Sequence, residues 1–254
     1  MGLEISHYLS RTVQAKLVLI GRSELNPRQK EKIKEIESLG GKVKYIQADA
    51  LDIVSMNEAV RKGESEFGNI NGVIHSAIVL SDKTLRNMEE EEFHSALEPK
   101  VQGSAILHHV LQEKALDFMM FFSSVQSFIG NEGQSNYAAA CTFKDAYANY
   151  LSQKEQYPVK TINWGYWGSV GVVASEEYQK LMEDQGIYSI EPMEGIEAIQ
   201  RVLDNNTQQI ITIKAESKVL EDMGCDFGQQ LELYPECMPS IFEETIGKLK
   251  NFIK

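Results

Sequence analysis

The sequence has few cysteines and no long apolar run, and both scarcities exclude classes of protein. Its three cysteines, Cys141, Cys225 and Cys237, are spread over a chain of 254 residues. They lack the close spacing of a zinc site or a disulfide framework. No apolar run approaches the length that spans a bilayer, and no signal-peptide pattern opens the chain. These absences predict a cytoplasmic protein without a metal site or a membrane anchor.

Basic residues are also scarce: 25 Lys and Arg stand against 37 Asp and Glu, for a formal net charge of −12. This balance argues against a nucleic acid or an anionic membrane as the main partner, because both carry negative charge. It leaves room for a local basic pocket that binds a phosphorylated cofactor. Hydrophobic residues make up 43% and charged residues 24% of the chain, which is typical of a soluble globular protein.

Short apolar runs alternate with longer amphipathic stretches. Predicted strands cover 16–22, 42–49, 71–77, 118–124, 159–164 and 209–214. Predicted helices cover 3–16, 26–40, 55–67, 89–111, 135–153 and 191–204. The fourth is either one long helix or two shorter ones, with Pro99 as the expected break. Strands that are apolar throughout and alternate with helices indicate an α/β fold, a doubly wound parallel sheet with helices on both faces.

The alternation stops after Lys214. We therefore expect two regions: a nucleotide-binding domain over residues 1–214, and a helical appendage or linker over residues 215–254.

Small and polar residues follow five of the predicted strands. They are Gly21-Arg22-Ser23, Asp49-Ala50, His75-Ser76-Ala77, Ser123-Ser124 and Asn163-Trp164-Gly165. Ligands of open α/β sheets bind outside the carboxyl ends of the strands, so these residues are the first candidates for a site.

Ser124 and Tyr137 are the strongest candidates for catalysis. Ser124 ends a strand and Tyr137 lies near the start of the next helix, so both side chains can face one crevice. Lys100 lies on the preceding helix, and an ammonium group near a phenol is expected to lower its pKa. Ser124 could then hold a carbonyl oxygen while Tyr137 delivers a proton to it.

Four segments together resemble one known family. They are HSAIVLSD, ALEPKVQGSAILH, FFSSVQSFIGNEGQSNYAAACTFKDAYANY and INWGYWGSVGVV. Their order and spacing are similar to those of the ketoreductase domains of modular polyketide synthases, within the short-chain dehydrogenase/reductase superfamily. The resemblance runs from about Gly2 to Lys214 and implies a Rossmann-like fold.

The resemblance assigns catalytic roles to three residues. Tyr137 would be the proton donor, Ser124 would bind the carbonyl oxygen, and Lys100 would orient the cofactor ribose and tune Tyr137. Most members of the superfamily place their lysine four residues after the tyrosine. That position is Cys141 here, and polyketide ketoreductases commonly have Asn there. From its surroundings in the sequence, Cys141 is expected to be a small buried residue and not a nucleophile.

The resemblance also implies NADPH as the cofactor. Arg22 follows what would be the family's second strand, and an arginine there suits the 2′-phosphate of NADPH. The implied cofactor-binding residues are Gly2, Arg22, Ser23, Asp49, Ala50 and Ala77. The implied substrate is a β-ketoacyl group on the phosphopantetheine of an acyl carrier protein, and the implied partners include other polyketide synthase domains.

Three further residues are expected along the substrate channel: Asp82, Ile129 and Trp164. Asp82 keeps the second aspartate of the "Leu-Asp-Asp" signature that accompanies the D-hydroxy product. Ile129 occupies the position where L-forming members often carry Trp. The resemblance therefore implies a D-type outcome.

One part of the family pattern has no counterpart here. The family has a first strand followed by a TGGxGxLG turn that holds the cofactor pyrophosphate, and only Gly2 resembles its last glycine. We expect a sheet without this first strand. Two alternatives stay open: a structural or docking fragment of a synthase without turnover, and a free-standing reductase of small ketones.

Overall fold

The computed structural model describes residues 1–170 and 175–225. Its strands are β1 (Lys16–Gly21), β2 (Lys42–Gln47), β3 (Gly72–His75), β4 (Phe118–Ser124), β5 (Val159–Trp164), β6 (Ile187–Tyr188), β7 (Gln209–Thr212) and β8 (Lys214–Ala215). Its helices are α1 (Gly2–Val13), α2 (Pro27–Ser38), α3 (Ile53–Phe67), α4 (Glu90–Leu111), α5 (Ser135–Lys154), α6 (Glu176–Asp184), α7 (Pro192–Asp204) and α8 (Ser217–Asp222). A short 3-10 turn, Val125–Ser127, follows β4.

Local signals explain where the helices begin. Asn26 caps α2 through a capping box with Gln29, and Pro27 occupies the first turn, where its missing N–H costs nothing. The expected break at Pro99 is wrong, because α4 continues through this residue. The proline ring is buried with its neighbours in the core, so packing compensates for the backbone hydrogen bond that it removes.

The strands form two parallel sheets. One pairs β1 with β2, and the other has the order β3-β4-β5-β7. Helices cover both faces, which confirms the predicted α/β architecture. In the described residues no strand is hydrogen-bonded to both β1 and β3, which agrees with the expected sheet without its first strand.

Two apolar cores hold these layers together. One lies between β4 and helices α3, α4 and α5, and it includes Ile46 of β2, so it joins the two sheets on that face. The other lies between the sheet and helices α1 and α7 on the opposite face. Strands β4 and β5 are buried along nearly their whole length, whereas β1 and β3 are only partly buried. The rigid centre of the fold is therefore β4 and β5, which lead into the candidate site.

A small antiparallel ladder was not anticipated from the sequence. Strand β6 pairs with β8, and helix α8 follows directly. Strand β8 spans the expected domain boundary after Lys214, so the division at that residue stays a prediction. Residues 226–254 of the expected appendage, with Cys237, lie outside the described residues.

Candidate active site

The fold brings Ser124, Tyr137 and Lys100 together at the carboxyl end of β4. Ser124 is the last residue of β4, and its side chain caps the 3-10 turn that follows. Tyr137 lies in the first turn of α5, and Lys100 lies in the middle of α4, which packs against α5. The Lys100 Nζ atom lies over the Tyr137 ring, 5.0 Å from its centroid. All three side chains are buried, with exposed fractions of 8% or less.

The electrostatics of Tyr137 differ from the expectation. Burial raises the pKa of its hydroxyl well above the ordinary value, and a hydrogen bond with Ser124 opposes this only in part. The expected net lowering of the Tyr137 pKa is therefore wrong, because the effect of burial outweighs the effects that lower this pKa. Lys100 lies over the ring face, and burial lowers its own pKa. Tyr137 is consequently a protonated phenol at neutral pH.

Cys141 lies one turn after Tyr137 and is fully buried. Its thiol is within hydrogen-bonding reach of both the Lys100 ammonium and the Tyr137 hydroxyl. Burial raises the pKa of the thiol, although Lys100 and Lys144 act against this. The side chain is therefore a neutral polar link between the two candidate catalytic groups, which agrees with its expected lack of nucleophilic character.

Asn163 organises the floor of the site, and the sequence analysis did not assign it a role. Its side-chain Nδ2 lies 3.0 Å from the Ser124 carbonyl oxygen and 2.8 Å from Asp145 Oδ2. It also lies 3.1 Å from Ser127 Oγ, so two hydrogens serve three acceptors. Its Oδ1 accepts from Gln209 Nε2. A polar residue near the carboxyl end of a predicted strand was the signal that could have identified it.

His75 is the last residue of β3 and lies buried beside the cluster. Its Nδ1 lies 3.4 Å from Ser104 Oγ, while Nε2 is buried without a partner among the described residues. Burial lowers the pKa of the ring well below its ordinary value, and Lys144 and Lys100 lower it further. A neutral imidazole in this place is structural and is not a proton donor at neutral pH.

The expected cofactor residues lie along the same strand ends. Arg22 and Ser23 follow β1 and are exposed. Asp49 follows β2, and its Oδ1 accepts from the Leu51 N–H in a local turn. Gly103 of α4 lies beside both Ala50, after β2, and His75, at the end of β3. A Cβ placed on Gly103 would be 3.7 Å from the Ala50 Cβ and 3.7 Å from the His75 Nε2.

Helix α1 begins at the same edge. A Cβ placed on Gly2 would lie 3.9 Å from Ser76 Oγ, directly after β3, and Ala77 is the next residue along. The positive end of the α1 dipole therefore lies beside the carboxyl end of β3, where an anionic group would be favoured.

Two of the three expected channel residues lie on loops beside the cluster. Asp82 accepts a hydrogen bond from Gln134 Nε2 over 2.7 Å, and Asn136 Nδ2 donates to the Ser81 carbonyl over 2.8 Å. These two bonds tie the loop after β3 to the start of α5. Ile129 follows the 3-10 turn and is partly exposed.

Trp164 is not at a channel mouth. Its side chain is 3% exposed and packs edge-on against the rings of Phe122 and Trp167, each 5.2 Å away between ring centroids. The expectation that Trp164 lines the substrate channel is therefore corrected. Strand β5 is buried on both faces, so a large ring at its last position fills the core.

The part of the chain that the structure describes was searched for metal sites and for membrane-spanning helices. No cluster of three His, Cys, Asp or Glu side chains there could hold a metal ion. Within residues 1–170 and 175–225, no helix combines the length and apolar character needed to cross a bilayer.

A parallel sheet with serine, tyrosine and lysine at its carboxyl edge is the arrangement of a short-chain dehydrogenase/reductase. Sequence comparison agrees, because the family described as "KR domain" matches residues 1–169. The chain belongs to this ketoreductase domain family.

The curated relatives are much longer proteins. Polyketide synthase PksN of Bacillus subtilis (strain 168) is 42% identical over 252 residues, which cover 99% of this chain and 4% of PksN. Polyketide synthase PksM of the same organism is 38% identical over 97% of this chain and 6% of PksM. The chain therefore spans only a small part of the length of these relatives.

Solved structures show the same fold. A ketoreductase domain from the bacillaene assembly line superposes with a TM-score of 0.80 at 28% identity, covering 87% of this chain and 55% of that one. An N-terminal ketoreductase from the macrolactin assembly line gives 0.78 at 26% identity, covering 87% and 44%. An alcohol dehydrogenase from Thermococcus sibiricus, complexed with 5-hydroxy-NADP, shares the fold at 19% identity, with a TM-score of 0.71 over 84% and 91%.

Proposed function

We propose that this chain reduces a β-ketoacyl thioester to the β-hydroxyacyl thioester with NADPH, on a substrate carried by an acyl carrier protein. The observation that carries the proposal is the buried cluster of Ser124, Tyr137 and Lys100 at the carboxyl end of β4. Its setting in the ketoreductase domain family supports a carbonyl group as the reacting function.

Tyr137 is the proton donor in this proposal. Because burial keeps its phenol protonated, the group is ready to donate as negative charge develops on a carbonyl oxygen. Ser124, hydrogen-bonded with Tyr137, supplies a second hydroxyl for the same oxygen. The two hydroxyls together favour the alkoxide-like transition state over the neutral ketone.

Lys100 supports the tyrosine after proton transfer. Its ammonium lies over the ring, so it stabilises the phenolate that remains when the proton has gone. Because the amine is buried among few opposing charges, this stabilisation is stronger than it would be in water. A proton from solvent then restores the phenol.

The described residues fit a nicotinamide dinucleotide. Arg22 would meet the 2′-phosphate, Asp49 and Ala50 the adenosine, and the first turn of α1 at Gly2 the pyrophosphate. Ser23 and Ala77 would line the same path, and Lys100 would meet the nicotinamide ribose. When bound, NADPH supplies the hydride that the carbonyl carbon accepts. A neighbour complexed with an NADP derivative supports this choice at the level of the fold.

The partners follow from the relatives. Because the matched curated proteins are polyketide synthases, we expect residues 1–214 to work beside other synthase domains in the cytoplasm. The acyl chain would arrive on a phosphopantetheine arm. Asp82, tied to Gln134 beside the site, supports a D-hydroxy product.

Cofactor binding followed by turnover tests the proposal. NADPH binding is measured by fluorescence titration, and its oxidation is then followed with a β-ketoacyl pantetheine thioester and with a small ketone. Reduction that favours the thioester supports the proposal, whereas equal rates on both substrates would indicate a free-standing ketone reductase. A chain that binds no NADPH would be a structural or docking fragment of a synthase.

A further inference from the structure

Lys144 is a second buried lysine beside the site, and the mechanism above does not use it. It lies on α5, seven residues after Tyr137, which is about two helical turns along the same face. Its side chain has an exposed fraction of 0%. Its Nζ atom donates a hydrogen bond to the backbone carbonyl of Phe122 over 3.1 Å.

This hydrogen bond joins the two elements that carry the catalytic hydroxyls. Phe122 lies in β4, two residues before Ser124. It also lies one residue beyond the last pair of the β3–β4 ladder, His75 with Phe121. The Lys144 amine therefore satisfies a strand carbonyl at the point where the neighbouring strand has ended, and it fixes α5 against β4 there.

The surroundings of Lys144 disfavour a charge on its amine. The groups acting on it are Lys100 from α4 and Cys141 and Asp145 from its own helix, and Lys144 in turn acts on His75 at the end of β3. The Asp145 Oδ2 atom already accepts a hydrogen bond from Asn163. Burial lowers the pKa of Lys144 well below its ordinary value, and the nearby Lys100 lowers it further. The Asp145 carboxylate raises this pKa, but its effect is smaller than that of burial, which makes a buried ammonium group costly.

We propose that Lys144 is a positioning residue for the reduction: its buried amine binds the Phe122 carbonyl and fixes the spacing between Tyr137 and Ser124. The inference rests on the proposed function. Because burial and Lys100 lower the pKa of Lys144 well below its ordinary value, we expect an uncharged Lys144 amine beside a charged Lys100. A charge on Lys144 would compete with Lys100 for the same opposing groups, Cys141 and Asp145.

The test replaces the amine and keeps the length of the side chain. Lys144→Met removes the hydrogen bond to Phe122, and Leu151→Met is the matched control, a buried position two turns further along α5. We expect Lys144→Met to lower kcat roughly ten- to a hundredfold, because small displacements of catalytic groups have effects of this size. We expect KM for NADPH to stay within about threefold, since Lys144 is not placed on the cofactor path. A merely structural role would change both kcat and this KM, or neither of them.

Two further measurements do not depend on turnover. Nitrogen-15 NMR of the wild-type lysine side chains reports whether one buried amine is neutral near pH 7. In urea unfolding, an amine that is neutral when folded and charged when unfolded makes wild-type stability rise with pH. The folded-to-unfolded ratio should gain up to about tenfold per pH unit relative to Lys144→Met.

The outcomes separate the two proposals. If the wild type reduces the thioester but Lys144→Met matches Leu151→Met in kcat, the positioning role is overturned and the proposed function stands. An ammonium signal for every lysine, or parallel pH–stability curves, would overturn the uncharged amine. A wild-type chain that binds NADPH but never reduces the thioester would overturn both proposals.

Discussion

The side-chain amide of Asn163 donates to the backbone carbonyl of Ser124 over 3.0 Å, from the adjacent strand of the sheet. The bond holds the backbone of Ser124 at the point where β4 turns into the 3-10 segment. The same amide contacts Asp145 on α5, and it therefore couples the serine strand to the tyrosine helix.

Replacement of Asn163 should reduce stability more than most single substitutions. Asn163→Ala leaves the Ser124 carbonyl, the Asp145 carboxylate and the Gln209 amide without their shared partner, and Asn163 itself is fully buried. We expect a loss of about 3 kcal/mol in the free energy of unfolding, measured by urea denaturation. Asn149→Ala, at an exposed position on α5, is the control and should change it by less than about 0.5 kcal/mol. Equal effects at both positions would contradict the role of Asn163.

The pH dependence of the reaction should follow Lys100 and not Tyr137. Activity needs the Lys100 ammonium, and burial lowers the pKa of this group from its ordinary value of 10.5. The protonated fraction therefore falls as pH rises through the lowered pKa, and kcat/KM should decline on the alkaline side below pH 10.5. The phenol of Tyr137 ionises only at higher pH, because burial raises its pKa.

Lys100→Arg separates the two groups, because a guanidinium group keeps its charge throughout the accessible range. We expect the variant to be slower, since the larger head fits the buried space poorly, but to lack the alkaline decline. An unchanged decline in kcat/KM would assign it to another group.

Arg22 should determine the preference for NADPH over NADH. The side chain is exposed after β1, where it can meet a 2′-phosphate without displacing core residues. We expect Arg22→Glu to raise KM for NADPH roughly tenfold or more while KM for NADH stays level or falls, because a carboxylate repels the phosphate. Arg28→Glu, exposed on α2, makes the same charge change as a control. Equal losses in both variants would indicate a general electrostatic effect.

The contact between Asp82 and Gln134 should affect the stereochemistry of the product. The wild-type chain is expected to form mainly the D-hydroxy product. Asp82→Ala and Gln134→Ala remove the 2.7 Å hydrogen bond that ties the loop after β3 to the start of α5, so we expect each to lower the D-to-L ratio. Chiral chromatography of the released acid measures it. Mainly L-hydroxy product from the wild type would contradict the D-type expectation.

The sequence predicted the layers of the fold well, because short apolar strands alternate with longer amphipathic helices along the chain. The Asn26-Pro27 pair located α2, and the apolar run before Ser124 located β4. The sequence left open whether the fourth helix continues through Pro99 and favoured a break there, since its continuity depends on packing against α5 and not on local preference.

The site was predicted in its members but not in its electrostatics. Family spacing singled out Ser124, Tyr137 and Lys100, and the fold brings them together. The sign of the Tyr137 pKa shift depends on the burial of the ring and on the position of the Lys100 ammonium over it. Neither can be read from the sequence. Likewise, Lys144 resembles a solvated helix lysine until the fold buries it.

Thioester reduction by Tyr137→Phe tests the central claim most directly. The variant keeps the buried ring beneath Lys100 and removes only the proposed proton donor. Initial rates of NADPH oxidation with a β-ketoacyl pantetheine thioester are compared for the wild type, Tyr137→Phe and Tyr150→Phe, an exposed tyrosine on the same helix. We expect Tyr137→Phe to lose roughly a hundred- to ten-thousandfold in kcat while Tyr150→Phe stays near the wild type. A Tyr137→Phe variant that reduces the thioester at the wild-type rate would contradict the proposed mechanism.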